Sequence, residues 1–269
     1  MTTPILPQWL ATLILGAALI ASAEIAFRLA RHLLRRRPEV EPEKESAGVG
    51  IMLSGALALL GLLVGFTFAM ASDRFDTRRV MINDEANAIT TAYLRSRLAI
   101  GPDRAILPTL WANYGEARLA LSYGRTVAAE EKHLERAGTI RREIWAATQR
   151  EVAAGRDDIT ASLVDATNGA FEIARARQAA VVARIPAAII WTLIIYALVA
   201  SFLLGHALAL DRRRFFMSSV LLGLVALSIA LIIDLDRPGS GTVEVSQAPM
   251  EQALAEIRVL QAADRPGAP

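Results

Sequence analysis

Four stretches of the chain are apolar over lengths that a soluble fold rarely needs: Ile5–Phe27, Val49–Ala71, Ile185–Leu210 and Phe215–Ile233. Roughly 20 helical residues cross the hydrocarbon of a bilayer, so each stretch predicts a membrane span. Between the second and third spans lies a polar block, Asp73 to Arg184, with Pro only at Pro102 and Pro108. Its apolar positions recur at helical steps, and four helices are predicted. The first, Asp73–Ala99, prolongs the second span and places Phe75, Ile82, Ala86, Ile89 and Tyr93 on related turns. Gly101–Asp103 turns the chain. A second helix carries Leu107, Leu110, Tyr114, Ala117 and Leu121 on one face and ends near Gly124. A third runs to about Ala154, and a fourth follows Gly155–Asp158 and enters the third span through Arg184, Ile185 and Pro186. Pro is tolerated at such a helix start. After Ile233, Gly, Pro and Ser end the last span. Thr242–Ser246 alternates as a strand does, and Pro249–Ala262 predicts a short amphipathic helix.

The pattern gives an all-α fold of four transmembrane helices with a long extramembrane bundle between the second and third. The expected divisions are 1–71 (two spans and a basic loop), 72–184 (the bundle), 185–233 (two spans) and 234–269 (a polar tail). The first span is not read as a cleavable leader, because no basic segment precedes it. Composition agrees: 54% of the 269 residues are hydrophobic while 21% are charged, which suits a membrane protein with a large wet domain.

A net charge of only +2 gives no reason to expect a nucleic-acid partner. The absence of Cys excludes disulfides and thiol chemistry. His32, His133 and His206 are far apart, and no metal-ligand spacing, phosphate loop or nucleophile elbow occurs. No catalytic residue, cofactor or metal is therefore expected.

Basic residues in short loops mark the cytoplasmic side. Arg28, Arg31, Arg35, Arg36, Arg37 and Lys44 follow the first span, and Arg212, Arg213 and Arg214 follow the third. Both short loops are read as cytoplasmic, which puts the bundle and both termini on the outer side of a bacterial inner membrane.

Four groups of residues are candidates for function. On the second span, Ser54, Ala58, Gly61, Gly65 and Ala69 form a small-residue stripe, suited either to packing within one subunit or to lining a pore in an oligomer. Asp73, Arg74, Arg184, Asp234, Asp236 and Arg237 should meet at one membrane–water boundary, as structural ion pairs or as a charge ring at a pore mouth. Asp84, Glu85 and Asn87, with Asp165, Asn168 and Arg175, suggest a polar layer inside the bundle that fixes register, or a ligand pocket. Glu24 and His206 are the ionisable residues within the apolar runs, near the same ends of the first and third spans. They either snorkel toward water or form a proton relay.

The run Gly65–Phe75, "GFTFAMASDRF", resembles the bestrophin pattern of Gly-Phe followed six residues later by Asp-Arg and an aromatic. Together with "DEANAI" (Asp84–Ile89), "TAYLR" (Thr91–Arg95), "ARIP" (Ala183–Pro186) and "DLDRPGSGTVEVSQAP" (Asp234–Pro249), it resembles a family of bacterial bestrophin-like multi-pass proteins. The resemblance runs from about Ser46 to Ile257. Bestrophins are pentameric ion channels whose second helix lines a narrow apolar neck. Carried over by the Gly-Phe anchor, the neck falls on Ala58, Leu62 and Phe66, a single helix face able to gate by dewetting. Ala58 is smaller than the family neck wants. The bestrophin calcium clasp is not carried over, since only Asp234 and Asp236 precede Arg237. The resemblance also implies a cytoplasmic bundle, opposite to the reading of the loop charges. The expectation is a homo-oligomer in the lipid bilayer that passes inorganic ions. Its rival is a non-conducting sensor or scaffold whose bundle binds a partner.

Overall fold

The computed structural model describes residues 8–36, 42–124, 126–210, 215–237 and 243–264. They form eight helices: α1 (Gln8–Arg36), α2 (Pro42–Ser96), α3 (Leu107–Ser122), α4 (Val127–Ala154), α5 (Asp158–Val182), α6 (Ala187–Leu210), α7 (Phe215–Asp236) and α8 (Ala248–Ala263). The fold is all-α, and four segments, lying on α1, α2, α6 and α7, are long and apolar enough to cross a membrane. Residues 5–7 of the first expected span lie outside the described residues, as do Arg37, Arg212, Arg213 and Arg214.

The helices fall into two compact units, each discontinuous in sequence: Met1–Arg74 with Arg184–Val243, and Phe75–Ala183 with Glu244–Pro269. In the first unit α1 packs against α6 and α7. Polar contacts register the helices where lipid offers no hydrophobic driving force between them. Ser22 Oγ donates to the Leu198 carbonyl at 3.1 Å, Ser201 Oγ donates to the Leu19 carbonyl, and Gln8 Nε2 donates to the Ala230 carbonyl at 3.2 Å. Small residues bring α1 and α6 together: Ala197, Ser201 and Gly205 recur every fourth residue on α6 and are buried. A Cβ on Gly205 would lie 2.0 Å from the Ala23 carbonyl oxygen, so only glycine permits this approach.

The second unit is built on the C-terminal part of α2 with α3, α4, α5 and α8. Its core joins Ile89 and Tyr93 of α2 to Trp111 and Tyr114 of α3, Ile140 and Ile144 of α4, and Phe171 of α5. Trp111, Tyr114 and Phe171 stack within 5.7–5.9 Å of one another between centroids. The segment expected as a polar tail belongs to this core through α8, which buries Met250, Ala253, Leu254 and Ile257. Gly115 gives Leu254 room against α3, since a Cβ there would sit 2.7 Å from Leu254 Cδ2.

The fourth bundle helix meets the third span at a break, with Pro186 just before a new helix start: α5 ends at Val182, Ala183 is extended (φ −63°, ψ 122°), and α6 begins at Ala187. Pro186 forces this break, because it lacks an N–H and disfavours helical geometry in the residue before it. The alternation at Thr242–Ser246 forms no strand among the described residues; Thr242 lies outside them, and residues 244–247 are irregular. The Val243 amide is bound instead by the Asp234 carboxylate at 3.1 Å.

Candidate functional site

α2 crosses from apolar to polar sequence without interruption, having no Pro after Pro42 and no Gly after Gly65. Its apolar part is hardly covered by its own chain. Leu62 is 53% exposed and Phe66 64%, and Ala58 is exposed beside them. A Cβ built on Gly55, Gly61 or Gly65 meets nothing within 4 Å. Small residues that pack helices closely within this unit lie on α6, and the glycine pair of α2 is left bare. Leu60 and Ala71, on the other side of α2, are buried in the unit's core. Ala58, Leu62 and Phe66 thus share one uncovered face at steps of four.

The boundary charges do different things from one another. Asp236 Oδ1 accepts the Ile185 amide at 2.9 Å, just before the Pro186 break. Asp234 is buried, and its Oδ2 holds the Val243 amide after α7. Both acids thus satisfy backbone donors at helix ends, where helical partners run out. Asp73 and Arg184 are exposed, and Arg74 and Arg237 are half-buried.

Of the six residues read as a polar layer, Glu85 alone is fully buried. Asp84 is half-buried, whereas Asn87, Asp165, Asn168 and Arg175 are exposed. The shared face of Asp165, Asn168 and Arg175 is the solvent face of α5; its buried face carries Leu163, Ala170, Ala174 and Arg177. The layer that does form is Glu85 between two arginines. Arg118 Nε and Arg177 Nη1 each donate to one Glu85 oxygen at 2.5 Å. Arg177 Nη2 also donates to Ser122 Oγ at 2.7 Å and Gln247 Oε1 at 2.9 Å. One carboxylate and several neutral acceptors thus satisfy two buried cations and tie α2 to α3, α5 and the start of α8. Removing one partner of such a group costs about 3–5 kcal/mol, because the other charges stay buried.

Arg118 and Arg177 escaped the sequence reading although a signal existed: each interrupts a buried apolar stripe, Arg118 one turn after Tyr114 and Arg177 three residues after Ala174. Arg78 is a third such residue. It is buried and donates to the Ala180 and Ala183 carbonyls at 3.3 and 3.1 Å, satisfying the open end of α5.

Glu24 accepts from Arg28 Nε, one turn on, at 2.9 Å. It lines a small cavity among α1, α6 and α7 with Phe27, Gly205, Ser218 and Ser219. His206 is half-buried and its Nδ1 has no hydrogen-bond partner among the described residues, so that atom makes no link to Glu24. No cluster of metal-ligating side chains occurs among the described residues.

The bestrophin-like domain profile matches residues 17–250. A crystal structure of a bacterial bestrophin homologue from Klebsiella pneumoniae matches with a TM-score of 0.65 at 13% identity, covering 94% of this chain and 99% of that one. Two variants of a homologue from the same organism give 0.64 at 13% identity and 0.65 at 14%, each covering 93% of this chain and 98% of that one. At these identities the likeness is one of fold. No curated protein sequence matches significantly. The profile spans both units and all four apolar helices, and the chain belongs to the bestrophin-like domain family.

Proposed function

We propose that the chain forms a homo-oligomeric ion channel in the bacterial inner membrane, with the uncovered face of α2 lining the pathway. The bestrophin resemblance implies a channel with its neck on the second helix, at Ala58, Leu62 and Phe66. The observation that carries the reading is the exposure of that face while the opposite side of the same helix is buried. A ring of copies turning Leu62 and Phe66 inward makes a narrow apolar constriction of the kind that gates by dewetting.

Purified protein in planar bilayers should show single-channel currents. Phe66→Ala or Leu62→Ala should raise open probability or conductance by widening the neck. A monomeric, electrically silent protein would contradict the reading and favour the sensor or scaffold.

We further propose that the helical unit lies outside the cytoplasm. The support is charge: Arg28, Arg31, Arg35 and Arg36 crowd the last turns of α1 beyond its apolar part. The chain has no Cys, so a single Cys at exposed Ala128 can be labelled uniquely. Labelling by impermeant maleimide in intact spheroplasts is expected; labelling only after lysis would reverse the orientation.

A further inference from the structure

The uncovered face of α2 does not end with the apolar neck. At alternating steps of three and four it continues from Phe66 through Ala69 to Asp73 and Asp76, all exposed. No charged residue occurs on α2 from Val49 to Ser72, so Asp73 is the first fixed charge beyond the neck on any face. Further out the same stripe carries neutral Asn83 and Asn87, both exposed. The nearby arginines all lie about 100° or more from Asp73 around the helix. Arg74 is about 100° from Asp73 at 3.6 residues per turn. Arg78 is turned inward onto the α5 carbonyls, and exposed Arg79 follows Asp76 by three residues, roughly 60° round the helix and about 120° from Asp73.

From this juxtaposition we infer that the pathway selects cations, and that Asp73 and Asp76 determine that specificity. The inference rests on the channel reading above. Asp73 stands seven residues, or roughly 10 Å of helix rise, beyond Phe66. That separation is about one Debye length in physiological salt, so its field reaches an ion at the neck mouth. Repeated around an oligomer, the two carboxylates form rings that concentrate cations and repel anions at the constriction. The apolar neck supplies no countervailing charge.

The test is the reversal potential of the purified full-length protein in a planar bilayer under a tenfold KCl gradient. Wild-type protein should reverse on the potassium side of zero, and the double substitution Asp73→Asn with Asp76→Asn should lower the K⁺/Cl⁻ permeability ratio several-fold. Asp73→Glu with Asp76→Glu should retain it. Wild-type anion selectivity would overturn the inference, even if the double variant fails to fold. An unchanged reversal potential in a conducting double variant would also overturn it, and in both cases the channel would stand. Electrical silence of the wild type removes the channel and this inference together.

Discussion

At the scale of single residues, two glycines of the membrane unit carry opposite expectations. Gly205 faces backbone: a Cβ there would lie 2.0 Å from the Ala23 oxygen and 2.6 Å from its carbon. Gly205→Ala must push α1 off α6, an overpacking that costs typically 1–3 kcal/mol or more. Gly61→Ala adds its Cβ to open space within the chain and gains roughly 1 kcal/mol of helix propensity. Thermal unfolding in detergent, followed by tryptophan fluorescence, should show a midpoint several degrees lower for the first and no lower for the second. Equal losses would mean that α2 is packed as tightly as α6. The sequence displayed the α2 glycine pair more plainly than the α6 stripe, yet the latter makes the close approach. Spacing reveals which residues are small; it does not reveal whether a neighbouring backbone comes near. Glu85 illustrates the same limit. Its helix position was legible, but its partners Arg118 and Arg177 lie 33 and 92 residues away, a pairing that only tertiary structure supplies.

At the scale of elements, apolar periodicity located nearly every helix. It failed where a short alternating run had no second strand to pair with, after Val243. It also underestimated loops that are fixed by side chains. The turn between α2 and α3 is clasped to α4: Glu151 accepts the Gly101 and Asp103 amides at 2.8 and 2.6 Å, and Arg150 holds Asp103 with two bonds at 2.7 and 3.0 Å. The hydrogen bond from Arg150 outweighs the opposing effect of burial and holds the Asp103 carboxyl below the ordinary carboxylate range. A folded pKa below the unfolded value of about 3.9 contributes stability above that value, and the contribution is lost as pH falls through the folded one. Arg150 is exposed, so the effect is small. Asp103→Asn should flatten the acid limb of a denaturation-midpoint series run from neutral pH to pH 3. An unchanged slope would show that the clasp contributes nothing to acid sensitivity.

At the scale of the whole molecule, membrane character follows directly from hydropathy, because four apolar segments of such length have no aqueous solution. The motifs around Gly65–Phe75 and Asp234–Pro249 pointed to the family that the domain profile identifies. Assembly, rather than the packing of one chain, sets which uncovered face meets lipid and which meets another copy. Leu62 and Phe66 are exposed on α2, but so is Trp191 on α6. The decisive measurement is a cryo-EM map of the protein in nanodiscs at side-chain resolution. A closed ring of copies with Leu62 and Phe66 of α2 turned toward its symmetry axis is the expected result. A monomer, or a ring in which those two side chains face lipid while another helix lines the axis, would contradict the proposed ion pathway.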